Sequence, residues 1–236
     1  MMEVATHTEV KADDKRARLL DAALVLFERS GFDGVAVPQI AARAGVAVGS
    51  VYRYFPSKEA LVNALYRHWK GVYNDFVLAT LPRGLTARDR FTTYWQRMTL
   101  FARTHPSAVR FLDLHHHGDY LDAESRAMAG TYREAAERFL AEARAEGAIR
   151  ALDPIMVVAL MWGAAAGLVK FAGQGAITFD AALAAEMEDA LWRAIANDQE
   201  GTTWLAKVKN RRRWSRVPAW ESASTLPNAL RGTATT

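Results

Sequence analysis

The stretch AGVAVGSVYRYFPSKEAL, residues 44–61, crowds Tyr52, Tyr54 and Phe55 around Arg53 and is bounded by Gly45 and Pro56. Glycine accepts the positive φ of a tight turn, so Gly45-Val46-Ala47 reads as the link between a short helix over Val37 to Ala44 and a second over Val48 to Tyr54. Two helices of that length joined by such a turn make a helix-turn-helix. On the second, Val51 and Phe55 lie four apart and point inward toward Ile40, Ala41 and Val46, which leaves Val48, Gly49, Ser50, Tyr52, Arg53 and Tyr54 on the other surfaces. A guanidinium forks onto phosphate or guanine and a phenol donates to phosphate, so this surface suits DNA. The other reading of Tyr52 and Tyr54 is that they cover the core beneath the helix that follows.

Outward from this unit, apolar residues recur every three or four positions and strand signals are scarce, which predicts an all-α chain. A first helix is expected from Asp13 to Ser30, with Leu19, Leu20, Ala23, Leu24 and Phe27 on one face and Gly31 as its stop. Ser57 is placed to cap a long helix carrying Leu61, Leu65, Trp69, Val72 and Phe76 and ending near Leu81-Pro82. Further helices are expected over Thr86 to Thr104, from Pro106 to Gly118, and from Asp122 to Gly147. Asp153-Pro154 then starts one running to Phe171, and Thr178 to Asn197 forms the last. Periodicity fades from Gln199 onward.

Composition bounds the class. The chain has 236 residues, half of them apolar, and no cysteine, which removes disulfides and thiolate chemistry and suits a reducing compartment. The N-terminal residues hold no signal-peptide run, and the apolar run Ile155 to Val169 stops at Lys170, short of the roughly 20 residues that span a bilayer. It reads as a buried helix; the expected home is the cytoplasm, with no membrane partner. The net charge of +4 is uneven, since residues 201–236 hold 7 Lys and Arg against 1 Glu while residues 71–200 are net acidic. A polyanion would meet an end of this chain rather than its middle.

From Gly31 to Leu61 the sequence resembles the DNA-binding region of TetR-family transcriptional regulators in its IAxxAGV, GxxYxYF and SKExL elements, here Ile40 to Val46, Gly49 to Phe55 and Ser57 to Leu61. The nine-helix layout is similar to that family in pattern. The resemblance implies a helix-turn-helix DNA-binding domain with a flexible N-terminal arm over residues 1–60 and a larger helical effector-binding and dimerisation domain over 61–198; charge and fading periodicity, on which the resemblance is silent, predict a basic, flexible tail over 199–236. It implies that the recognition helix is Val48 to Tyr54, that Lys58 binds a phosphate, and that Pro38 and Gln39 meet DNA from the preceding helix. Ala36 and Ala47 depart from the family pattern, standing where a Ser or Thr usually caps, and losing such a cap costs about 0.5 to 2 kcal/mol.

The resemblance further implies a ligand-responsive repressor that binds a two-fold operator as a homodimer and is released by a small molecule. The alternative is a helical ligand-binding or catalytic protein that uses its first domain for docking. Candidate effector contacts are Tyr94, Trp95, Trp162 and Phe171, as pocket wall or plain core, and His116 and His117 in the run FLDLHHHGDYLD, as pocket lining or a solvated helix end. Consecutive helical residues diverge by about 100°, so the histidines do not form a chelating face. No metal and no cofactor are expected, and no phosphate loop or nucleophile-base pattern supports catalysis. Dimerisation is expected through the last two helices, with the small residues Gly163 to Gly167 on one and Leu183, Met187 and Leu191 on the other. The stretch WLAKVKNRRRWSRVPAW, residues 204–220, reads as a solvated extension or as an auxiliary basic arm on phosphates.

Overall fold

The computed structural model describes residues 7–115 and 119–197, which are helical with no β-strand among them. The helices are α1 (His7–Ser30), α2 (Val37–Ala44), α3 (Val48–Tyr54), α4 (Lys58–Val77), α5 (Ala87–Thr104), α6 (Pro106–His115), α7 (Ala123–Ala145), α8 (Pro154–Gly173) and α9 (Ala181–Ile195). The all-α class and the order of elements are as the periodicity predicts. Residues 199–236, with the basic stretch, lie outside the described residues, as do His116 and His117.

Local chemistry sets most boundaries. Gly45 adopts φ +66°; its amide bonds the Ala42 carbonyl and that of Val46 bonds Ala41, so the last carbonyls of α2 are satisfied as the chain reverses. Ser57 caps α4 by accepting from the Ala60 amide at 3.1 Å, and Asp122, Asp153 and Asp180 cap α7, α8 and α9 in the same way. Because Asp180 is the cap, α9 begins at Ala181 rather than at Thr178. Ala36 and Ala47 lack a capping side chain, as expected. At α2 the Gln39 side chain compensates in part, its Oε1 accepting from the Ala36 amide at 2.7 Å.

Two cores form. In the first, α1 to α3 close over Leu19, Phe27, Ile40, Val51 and Phe55, with Leu61, Val62, Leu65 and Tyr66 of α4 and with Phe111 and Leu112 of α6. The second fills the body around Trp95, Phe101, Phe91, Phe139 and Trp192 and includes Val72, Tyr73 and Val77 of α4. Helix α4 therefore belongs to both, and the first core extends beyond residue 60. The segment after α6 is held against the first unit: the His115 imidazole accepts the Tyr120 hydroxyl and bonds the Phe27 carbonyl, while Tyr120 stacks on Phe32 at 4.1 Å. Asn63 of α4 bonds both the Tyr120 carbonyl and the Asp122 amide at 2.8 Å.

Three expectations change. Helix α4 ends at Val77, short of Leu81-Pro82, with the Leu78 amide closing on Asn74. Helix α8 continues past Lys170 to Gly173 and, by length and composition, is long enough to cross a bilayer. It is also not wholly buried: Val157, Ala165, Leu168 and Val169 face α5, α6, α7 and α9, but Met156, Leu160, Gly163 and Phe171 face outward along one stripe. Finally, Leu191 of α9 is buried in the second core, while Leu183 and Met187 pack against that core and stay half-buried.

The turn and caps carry a direct expectation. Gly45→Ala forces an L side chain into the left-handed region and should lower stability by about 1 to 2 kcal/mol. Ala47→Ser, on an extended N-cap at φ −68° and ψ 145°, should raise it by about 1 kcal/mol. Urea denaturation of the two variants checks both.

Candidate functional site

The first candidate surface is α3. Val51 and Phe55 are buried beneath it, and Val48, Gly49, Tyr52 and Arg53 stand exposed on its outer side, with Tyr52 half accessible and Ser50 partly so. Arg53 lies over the Tyr54 ring, 5.5 Å from its centroid, and Tyr54 itself rests partly on the first core, so it serves as cover as well as surface. Pro38 and Gln39 are exposed at the start of α2, with the Gln39 Oε1 engaged at the cap.

Lys58 is less free than its position at a helix start suggests. Its ammonium donates to the Phe32 and Val35 carbonyls at 3.1 and 3.2 Å and sits 4.0 Å from the Phe32 ring centroid. It therefore ties the beginning of α4 to the loop between α1 and α2, and one of its three N–H donors remains for a phosphate.

The second candidate site is a cavity of about 390 Å³ inside the body, within the usual range of roughly 300 to 1,000 Å³ for small-molecule sites. Its walls come from α4 (Tyr66, Lys70, Tyr73), α5 (Phe91, Tyr94, Met98), α6 (Leu112), α7 (Tyr132, Phe139) and α8 (Val158, Met161, Trp162). Tyr94 and Trp162 line it as anticipated. Trp95 does not: it is fully buried in the second core, with its indole N–H on the Ala184 carbonyl at 2.7 Å. Phe171 does not either, lying on the outer stripe of α8, because the helical turn carries it away from the cavity wall. Asp113, in the last turn of α6, accepts the Trp162 indole N–H at 2.7 Å.

Lys70 is the residue that sequence reasoning passed over. It is 4% exposed, yet among the described residues its ammonium meets three aromatic rings and no carboxylate or carbonyl: Tyr132 at 4.3 Å, Tyr73 at 5.1 Å and Trp162 at 5.9 Å. Burial pulls its pKa down to about 7. Burial, aided by the neighbouring Tyr132, pushes Tyr66 up to about 12 and Tyr73 higher still, and burial raises Tyr132, so these phenols stay hydrogen-bond donors at neutral pH. The visible signal was Tyr66, Lys70 and Tyr73 at spacings of four and three, a cation within an aromatic stripe. Groups of His, Asp and Glu able to hold a metal ion are absent among the described residues.

Two family models match this chain. Residues 19–65 match the bacterial regulatory proteins of the tetR family, and residues 72–197 match the tetracyclin repressor-like C-terminal domain. The HTH-type transcriptional repressor KstR of Rhodococcus jostii is 47% identical over 60 residues, 25% of this chain and 28% of that protein. The HTH-type transcriptional regulator BetI of Paraburkholderia phymatum is 35% identical over 74 residues, 31% of this chain and 36% of that protein. The chain thus matches only about a third of the length of these relatives. In fold it is similar to a TetR family transcription regulator from Marinobacter aquaeolei VT8, with TM-score 0.71 and 21% identity over 80% of this chain and 99% of that one. FadR of Bacillus subtilis in complex with stearoyl-CoA is a further fold neighbour, with TM-score 0.58 and 21% identity over 74% and 96% of the two chains.

The buried amine has a measurable signature. Below pH 7 Lys70 is charged in both folded and unfolded chains and its full desolvation cost is present. Between pH 7 and the unfolded value of about 10.4 the unfolded chain holds the extra proton, so stability rises with pH by up to about 1.4 kcal/mol per unit. Lys70→Met, which keeps an unbranched stem without the charge, should therefore stabilise the protein by a few kcal/mol at pH 6 and by progressively less toward pH 10. Thermal melts of both proteins across that range check the slope.

Proposed function

The chain belongs to the TetR family of helix-turn-helix transcriptional regulators, and we propose that it is a homodimeric repressor that releases a two-fold operator when a small molecule fills its cavity. The observation that carries this reading is the division of α4: its first turns pack under the DNA-binding unit and its later turns wall the cavity. In this role Tyr52 and Arg53 reach into the major groove with Val48, Gly49, Ser50 and Tyr54 at its edges, and Pro38, Gln39 and Lys58 hold phosphates. The chain acts as a binding protein without catalysis, in the cytoplasm where the chromosome is.

Two such units reading one operator must present their recognition helices at about the 34 to 36 Å repeat of successive major grooves. The outer stripe of α8 supports a pairing surface: Met156, Leu160 and Phe171 are exposed apolar side chains, and a Cβ at Gly163 or Gly167 would meet open space. A second copy of α8 can approach closely there, and α9 contributes the half-buried Leu183 and Met187 rather than the buried Leu191. The effector then binds preferentially to a dimer whose recognition helices no longer match that repeat, as differential affinity requires. The stearoyl-CoA held by the fold neighbour FadR is in keeping with a body cavity as the effector site.

With operator DNA selected from a random pool, Arg53→Ala should weaken binding by more than about 1 kcal/mol, some five-fold or more, while melting like the parent protein. Fluorescence anisotropy reads this, and unchanged affinity would remove Arg53 from the interface. Gly163→Leu should yield monomers in analytical ultracentrifugation and abolish binding to the two-fold site; a monomeric parent protein at micromolar concentration would refute the pairing.

A further inference from the structure

The cavity contains an electrostatic imbalance that its role as a generic effector site leaves unexplained. Among the described residues Lys70 is the charged side chain of the lining, and it is buried with no carboxylate of those residues beside it. A lysine kept for packing gains nothing from its charge here, since an apolar side chain of similar length would fill the same space without the desolvation cost. The neighbouring rings offset part of that cost through their negative faces but leave the ammonium's N–H donors without acceptors.

The surroundings define what would complete it. Facing Lys70 are Tyr73 from its own helix, Tyr132 from α7 and Trp162 from α8, and the same cavity is lined by Tyr66 of α4, Tyr94 of α5 and Leu112 of α6, while the exposed Asp113 is engaged by the Trp162 indole. The phenols donate hydrogen bonds, and the remainder of the wall, with Phe91, Met98 and Phe139, is apolar. One cation set among phenol donors calls for one anionic group, and apolar walls call for a hydrocarbon body. A sugar or another polyol would leave most of its hydroxyls unpaired. A cationic ligand would meet a like charge and find no carboxylate in the lining.

We propose that the effector is an apolar monocarboxylate whose carboxylate is received by the Lys70 ammonium and the phenols of Tyr66, Tyr73 and Tyr132. The inference rests on the effector reading of this cavity. Charge-assisted hydrogen bonds in a dry site are stronger than neutral ones, so the anion selects against its neutral analogues. The bound carboxylate restores the protonated amine, so above neutral pH each ligand brings a proton with it, and affinity falls as the free protein's amine deprotonates.

The test is calorimetric titration of the full-length protein with decanoate, decanamide and decyltrimethylammonium, and in parallel with 4-phenylbutyrate and its amide, at pH 6.5 and pH 9. Each carboxylate that fits should bind at least ten-fold tighter than its amide at pH 6.5, with the preference shrinking at pH 9. Titrations at pH 8 in buffers of different ionisation enthalpy should show proton uptake. Lys70→Met, confirmed folded by its melt, should bind acid and amide equally; the pH profile and proton uptake of the parent protein stand even if that variant misfolds. Equal or tighter binding of an amide or the ammonium compound, a preference that survives in Lys70→Met, or no binding of either carboxylate would overturn the inference. Operator release, followed separately by anisotropy, tells the two readings apart. Carboxylate binding without release refutes the repressor reading alone, and release by a neutral or cationic compound alone refutes the carboxylate.

Discussion

A single rigid helix shared by two hydrophobic cores is the constraint on which this molecule depends. At 1.5 Å per residue the 20 residues of α4 span about 30 Å, and they cannot tilt at one end without moving the other. The Lys58 ammonium anchors the start of the helix to the carbonyls that precede α2, and Asn63 fastens its second turn to the segment between α6 and α7. Tyr66, Lys70 and Tyr73 carry the later turns into the cavity wall. Those three side chains therefore stand on the same helix whose first turns carry the core beneath α3.

The same sharing explains why the segment after α6 is so closely held. Phe111 and Leu112 enter the first core from the body side, and His115 joins the Phe27 carbonyl to the Tyr120 hydroxyl. The recognition unit is thus backed by α6 as well as α4. These hydrogen bonds, short-range in space but distant in sequence, fasten the end of α6 and the segment before α7 to the first core.

Two features depart from what stability alone favours, and they have different physics. The apolar outer stripe of α8 loses its hydrophobic driving force while it faces water and regains it when another surface covers it. Lys70 bears a desolvation cost that no protein group offsets with a charge. Local rules broken in this way are typical of positions shaped by binding rather than by folding.

The nine helices among the described residues, the Gly45 turn, the Ser57 and Asp153 caps and the inward pair Val51 and Phe55 were legible in the sequence, because each is decided by residues within a turn or two of one another. The outer face of α3 followed from the same geometry once its inner face was known. The tertiary structure alone decided which of several apolar stripes meet. Trp95 is core because Ala184 of α9 lies against it, Phe171 is outward because α8 turns it away, and Leu191 is buried within its own chain. Lys70 looked like one more charge on an amphipathic helix until Tyr132 and Trp162, from helices remote in sequence, closed over it. Periodicity tells which side of a helix is apolar; what covers that side, and whether the cover leaves a cavity, depends on how distant helices pack.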